Sequence, residues 1–226
     1  MAEYLPWNDA WKDQVVYLVI PPQVENPVEM ATEFVYPIFL SAFEQTARGD
    51  EFWKAIAGAM LFVVGHDPSK QENSYYIEWL KKYNPAVIKE LLYDGANQAA
   101  EGKLETAIWL FQAAVLLDPD APESHYNLGL AYYQLGLKLF DKLLNEEAGM
   151  CLQQAVQYMQ NTLELDPKSS LATYNLGFIY RRMGLQKESE KYLEKSIVLE
   201  LENLQPQIQG GERLTQGTGR HPLHGW

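Results

Sequence analysis

Basic residues are scarce in this chain and cysteine is almost absent. Lys and Arg total 18 against 30 Asp and Glu, a formal charge of -12 over 226 residues. No basic run is long enough to follow a phosphate backbone, which argues against nucleic acid as a partner. The single cysteine, Cys151, excludes an internal disulfide framework and fits a reducing compartment. Its neighbours Met150, Leu152 and Ala155 mark it as a core thiol rather than a reactive one. Long apolar runs are missing too. Val15 to Ile20 stops at Pro21-Pro22 with no basic region before it, too short for a signal peptide. Ala55 to Gly65 falls well short of the roughly 20 residues that a membrane-spanning helix needs. The expectation is a soluble, cytoplasmic protein without membrane insertion.

Catalytic motifs are equally absent. The chain has no G-x-G-x-x-G after a strand, no G-x-x-x-x-G-K, no G-x-S-x-G, no H-E-x-x-H and no paired CxxC. The acidic pairs Glu146-Glu147 and Glu188/Glu190 fall on faces read as solvated. The tail histidines His221 and His224 have no partner ligand beside them. The sequence therefore reads as non-catalytic, with no cofactor and no metal.

What the chain does have is hydrophobic content, 47%, arranged in a repeat. "HYNLGLAYYQLG" (His125 to Gly136) returns as "TYNLGFIYRRMG" (Thr173 to Gly184), and each copy is followed by a second amphipathic stretch. "AIWLFQAAVLLDP" closes at Pro119 and "AVQYMQNTLELDP" at Pro167, while "SEKYLEKSIVLEL" closes the last copy without a proline. Apolar and small residues recur at three-and-four spacing in both halves of each copy, so each is predicted to be a helical hairpin, stopped by Pro where Pro is present.

This pattern resembles the tetratricopeptide repeat, a 34-residue helix-turn-helix unit. The resemblance implies an all-α fold, a right-handed α-solenoid of three such units over residues 88–121, 122–169 and 170–204. In the family the eighth position is Gly, where helices A and B approach closely, and Gly95, Gly129 and Gly177 fill it. The small twentieth and twenty-seventh positions are Ala107 with Ala114, Ala155 with Thr162, and Ser189 with Ser196. Gly102, Gly136 and Gly184 are expected in the turns between helices. Leu128 and Leu176 hold the seventh position, but Asp94 stands there in the first copy.

Pro119 and Pro167 are 48 residues apart, 14 more than the family period. The extra residues keep a helical pattern. Leu139, Phe140, Leu143 and Leu144 read as one apolar stripe, with Phe140 and Leu143 buried against the facing stripe Ala148, Cys151, Leu152 and Ala155. Two added turns per helix lengthen the second hairpin by roughly 10 Å, with its turn predicted near Asn145-Glu146-Glu147.

Residues 1–87 keep helical patterning without the signature. A helix is expected from Asn26-Pro27 to about Arg48 with a kink at Pro37, a second from Gly49-Asp50 to "GHDPSK", and a third over "ENSYYIEWLKKY". Residues 54–85 read as a decayed repeat, because Pro85 lies 34 before Pro119. "VVYLVIPP" is predicted to be a short extended segment. Trp7, Trp11, Tyr17, Phe34, Tyr36, Phe39 and Phe43 read as core rather than a ligand cage. Residues 205–226, dense in Gly, Gln, Thr and Pro, read as a disordered tail.

The resemblance implies a binding surface on the A helices. Its concave positions give Lys89, Leu92, Tyr93, Ala96, Ala99 and Ala100, then Glu123, Tyr126, Asn127, Leu130, Tyr133 and Gln134, then Leu171, Tyr174, Asn175, Phe178, Arg181 and Arg182. The carboxylate clamp of chaperone-binding members finds one match in five here, Asn127, against Leu92, Ala96, Leu171 and Asn175, which argues against a chaperone-tail receptor. Asn127 and Asn175 at one position in consecutive copies suit pairing with the backbone of an extended peptide, as in family members with an asparagine ladder. The reading is an adaptor that binds a protein or peptide segment. Two other readings are a sensory protein that answers a signalling peptide, and an assembly subunit whose N-terminal helices form a homodimer.

Overall fold

The structure is a computed structural model that describes residues 9–21, 24–30, 34–43 and 49–209. After a 3-10 turn, Asp9–Gln14, come strands β1 (Val15–Leu18) and β2 (Tyr36–Phe39). Then follow helices α1 (Leu40–Phe43), α2 (Asp50–His66), α3 (Asn73–Tyr83), α4 (Val87–Ala100), α5 (Leu104–Leu117), α6 (Pro122–Asp141), α7 (Asn145–Leu165), α8 (Ser170–Arg182) and α9 (Gln186–Gln209). The chain divides into two compact units. One takes Met1–Gly95 with Glu105–Pro119, and the other Ala96–Leu104 with Asp120–Trp226.

In the first unit a core of Ile38, Ile56, Met60, Val63, Tyr76 and Trp79 is fully buried, and Leu110, Ala113, Ala114 and Leu117 of α5 join it. Helices α2 and α3 lie where they are expected, and β1 confirms the extended segment. Of the helix expected from Asn26-Pro27 to about Arg48, the described residues 26–30 and 34–39 are not helical, and only Leu40–Phe43 forms a short helix. "YPIF" is instead a strand, antiparallel to β1 in the register Val16↔Ile38 and Tyr17↔Pro37. Both strands of a two-stranded ribbon are edges, where Pro is tolerated, and the aromatic and branched side chains around Pro37 favour extended backbone. Asn26 does not cap a helix. Its Oδ1 accepts from the Val28 backbone N–H at 3.0 Å and from Trp79 Nε1 at 3.2 Å, and its Nδ2 donates to the Tyr36 hydroxyl at 2.7 Å. One amide thereby ties the segment before β2 to α3.

The aromatics expected in the core divide. Tyr36 is buried and Phe34 and Phe39 are half-buried, whereas Tyr17 and Phe43 are exposed. Trp7, the Trp11 side chain and residues 210–226, with His221 and His224, lie outside the described residues, whereas residues 205–209, expected in the disordered tail, belong to helix α9.

The second unit consists of antiparallel hairpins. Helix α6 has 20 residues and α7 has 21, each seven longer than α8 with 13 and α5 with 14. The extra residues therefore split evenly between the two helices, about 10 Å each. The turn falls at Lys142–Leu144, slightly before the position expected, and Asn145 is already helical. Gly136 is not in a turn. It lies inside α6, where an added Cβ would be 3.1 Å from Leu152 Cδ2 and 3.4 Å from Cys151 Cβ.

The turn residue is Leu143. The three hairpins close identically: the N–H groups of Gly102, Leu143 and Gly184 donate to Ala99, Phe140 and Arg181 carbonyls, and those of Lys103, Leu144 and Leu185 donate to Gln98, Leu139 and Tyr180. That is the Schellman pattern, which requires a left-handed residue. Gly102 and Gly184 supply it at φ 75° and 77°, and Leu143 adopts it at φ 62°. Ala148, Cys151, Leu152 and Ala155 form the expected buried stripe, and Leu139 and Phe140 are half-buried. Leu143 is not buried against them. It is 83% exposed, because a turn residue in this conformation points away from both helices.

Two stability tests follow from the turn and the helix crossings. A branched side chain in the left-handed region costs roughly 1–2 kcal/mol, partly offset in any replacement by the larger unfolded-state entropy of Gly. Leu143→Gly is therefore expected to stabilise the protein by about 0.5–1 kcal/mol in a urea titration, and Gly184→Ala to destabilise it by about 1 kcal/mol. A loss of stability on Leu143→Gly would contradict the turn assignment. At the crossing of α8 and α9, a Cβ on Gly177 would lie 2.7 Å from Leu193 Cγ and Cδ2. Gly177→Leu should lower stability by about 1–3 kcal/mol through overpacking.

Candidate functional site

The A helices α6 and α8 lie in the same unit and bond to each other directly. Helix α6 begins with Pro122, whose missing N–H is no loss in a first turn. Helix α8 begins after Ser169, whose side chain accepts from the Ala172 N–H at 3.2 Å. Asn175 Nδ2 donates to the Tyr126 hydroxyl at 3.1 Å, and one heptad on, the Arg182 side chain donates to the Tyr133 hydroxyl. Each bond joins residues 49 apart in the chain.

Around these two bonds the expected surface residues are brought together. Tyr126, Asn127, Leu130, Tyr133 and Gln134 of α6 and Tyr174, Asn175 and Phe178 of α8 are all half-buried. Tyr174 and Phe178, four residues apart, pack with ring centroids 4.7 Å apart. Arg181 and Arg182 are exposed at the end of α8. On α4, Tyr93 is exposed at 69%, with Lys89 exposed and Leu92 half-buried. The residues expected to space the helices, Gly95, Ala107, Ala114, Gly129, Ala155 and Gly177, are all buried.

Burial raises the pKa of the Tyr126 phenol, opposed by the Asn175 hydrogen bond, and raises that of Tyr133, opposed by the charge and hydrogen bond of Arg182. Both phenols stay neutral at physiological pH, so the face presents hydroxyls rather than phenolates. The two asparagines are less open than the sequence implied. Asn127 Nδ2 donates to the Glu123 carbonyl at 3.0 Å and Asn175 Nδ2 to the Leu171 carbonyl at 3.0 Å. Each is held against its own helix, and the carbonyl oxygen is the atom left to meet a ligand. The Tyr126–Asn175 and Tyr133–Arg182 bonds were not read from the sequence. The signal was there as a shared offset of 49 from the fifth and twelfth positions of one copy to the sixth and thirteenth of the next.

Among the described residues no group of three or more His, Cys, Asp or Glu side chains is placed to hold a metal ion. No helix among them is long and apolar enough to cross a membrane.

The hairpins, their small-residue crossings and their left-handed turns define a helical-repeat protein. Family models agree: one described as TPR repeat matches residues 99–136, and one described as tetratricopeptide repeat matches residues 172–203. The chain carries tetratricopeptide repeats. Among solved structures it is similar to MamA at 20% identity, covering 68% of this chain and 91% of that one with a TM-score of 0.44. A human IFIT1 dimer with PPP-AAAA is similar at 18% identity, covering 63% of this chain and 32% of that one with a TM-score of 0.47. A CopN–Scc3 complex is similar at 18% identity, covering 56% and 69% with a TM-score of 0.41. No curated protein matches the sequence.

The bond between α6 and α8 can be measured by a double-mutant cycle. Tyr126→Phe and Asn175→Ala should each lower stability in thermal unfolding. Their coupling energy is expected to be about 0.5–1.5 kcal/mol, the net value of one partly buried hydrogen bond. Additive losses would mean that the pair is not bonded in solution.

Proposed function

We propose that this protein is a non-catalytic adaptor that binds an extended protein segment along α6 and α8. Tetratricopeptide repeats are in general interaction scaffolds rather than enzymes. The observation that carries the reading is the rigid, half-exposed face of Tyr126, Tyr133, Tyr174 and Phe178, cross-braced by Asn175 and Arg182. Aromatic side chains already fixed in place lose little entropy when a partner docks, and they supply most of the contact energy at protein interfaces.

The polar groups suit a peptide backbone. With Nδ2 of Asn127 and Asn175 committed to carbonyls of their own helices, the side-chain Oδ1 atoms can accept N–H groups of a ligand, independent of its sequence. Arg182 already serves Tyr133, so Arg181 is the cation best placed to meet an acidic side chain or a terminal carboxylate. On a chain of net charge -12 such a local cation also orients the ligand. The proposed compartment is the cytoplasm.

Affinity capture from the native lysate, followed by titration of the captured partner, tests this. Asn127→Ala with Asn175→Ala should weaken binding by about 1–3 kcal/mol without unfolding the protein. Arg181→Glu should weaken it mainly at low salt. Leu40→Glu with Phe43→Glu, at two exposed apolar residues of the first unit, is the control. If that control abolishes binding while the α6 and α8 variants bind as wild type, the interaction surface lies in the N-terminal region.

A further inference from the structure

The cross-bonds between α6 and α8 use only half of what each phenol has. Tyr126 accepts from Asn175 Nδ2 at 3.1 Å and Tyr133 accepts from Arg182, so in both pairs the phenol oxygen is the acceptor. A phenol also has an O–H to give, and among the described residues neither proton has an acceptor. The two hydroxyls belong to residues seven apart on α6, which places them two turns apart on one face, about 10.5 Å along the axis. The stretch between them is apolar. Leu130 is four residues after Tyr126 and three before Tyr133, and on α8 Phe178 holds the matching place between Asn175 and Arg182. Both are half-buried.

A ligand that meets both donors needs two acceptors on one side at that spacing. A helical ligand has its carbonyls bonded internally. In a β-strand the carbonyls of one edge recur every second residue, at about 6.7 Å and then about 13 Å, and neither fits. A polyproline II helix has three residues per turn and a rise of about 3.1 Å each, so one side of it presents a carbonyl every 9 Å or so, free of internal hydrogen bonds. That differs from the hydroxyl spacing by only about 1 Å.

We infer that the seam between α6 and α8 is a polyproline II site, in which a proline-rich segment lies parallel to the helices and Tyr126 and Tyr133 donate to its carbonyls i and i+3. The two intervening residues then lie over Leu130 and Phe178. The inference rests on the reading of this face as a peptide site and adds the conformation and composition of the segment. Proline has no N–H, so a proline stretch is held by donors alone, and the acceptors on Asn127 and Asn175 serve other residues of the segment. Its backbone is extended before it binds, so little conformational entropy is lost on docking.

Isothermal titration calorimetry of the full chain with acetyl-decaproline amide, a uniform polyproline II probe, tests it. Saturable binding is expected, and a flexible Gly-Ser peptide of the same length should bind about tenfold more weakly or worse. Tyr126→Phe with Tyr133→Phe keeps both rings and removes both donors, and should weaken decaproline binding about tenfold with helical circular dichroism retained. Probe length separates donation from mere bracing of the helices. Acetyl-diproline amide has three consecutive carbonyls and cannot meet both hydroxyls, whereas acetyl-pentaproline amide can. The wild type should therefore gain affinity steeply from the first to the second, and Tyr133→Phe should lose that gain. Absence of decaproline binding, equal binding of the Gly-Ser peptide, or a double variant that binds decaproline as wild type overturns the inference. If Asn127→Ala with Asn175→Ala still weakens a captured partner in that event, the adaptor reading stands without it.

Discussion

A single carbon added at Gly177 would lie 2.7 Å from the side chain of Leu193, and one added at Gly95 would lie 2.5 Å from the ring of Phe111. The hairpins depend on this close approach. Where a glycine leaves room for Leu193 or Phe111 of the partner helix to seat directly against its backbone, the two helices lock in separation and in rotation, since packed interiors yield little to extra volume. Fixing the rotation of α6 and α8 on their own B helices decides which residues each A helix turns outward. The aromatic face and its two cross-bonds are therefore consequences of small residues on the opposite side of the same helices.

The repeat unit was legible because close approach leaves a chemical trace. Gly129 and Gly177 recur at one position, and Ala107, Ala155 and Ser189 at another, and all are buried. The heptad inserted into each helix was legible as well, because Leu139, Ala148, Cys151 and Leu152 keep helical spacing. Its turn was misplaced for a physical reason. In the first and third hairpins glycine provides both the left-handed turn and an obvious marker, while in the second the inserted heptad moved the turn from Gly136 to Leu143. Leucine carries no turn signal, so its role is visible only in the backbone. Gly136, stranded inside α6, took the other use of glycine and became a second point of close approach to α7.

The N-terminal region was harder to read, because its structure is set by contacts distant in sequence. Helices α2 and α3 follow from their own periodicity, but β2 exists through pairing with β1 some twenty residues earlier and through its burial beside α2 and α3. Strand preference is largely a preference for such surroundings, which a local window does not contain. Asn26 shows the same limit. A cap residue before Pro is a sound helix start by local rules, yet here its amide is drawn to Trp79 and Tyr36, side chains 53 and 10 residues away. On the site, the individual residues were legible from repeat positions, but the bonds between copies were not, since they depend on the offset between neighbouring helices.

The three B helices end by a common rule and one exception. Helices α5 and α7 run into Asp-Pro, which removes a donor and disfavours helix in the residue before it, so the chain must turn. At the same repeat position α9 has Leu201, and the helix continues past the start of α8 to Gln209, with Pro206 falling only in its last turn. A helix that outruns its partner loses its tertiary cover before it loses its backbone hydrogen bonds. The residues there must be polar to be at ease in water, or apolar if something else is to cover them. Leu201 and Leu204 are apolar and exposed there, so having leucine in place of proline at this position changes both where the helix ends and the surface that its end presents.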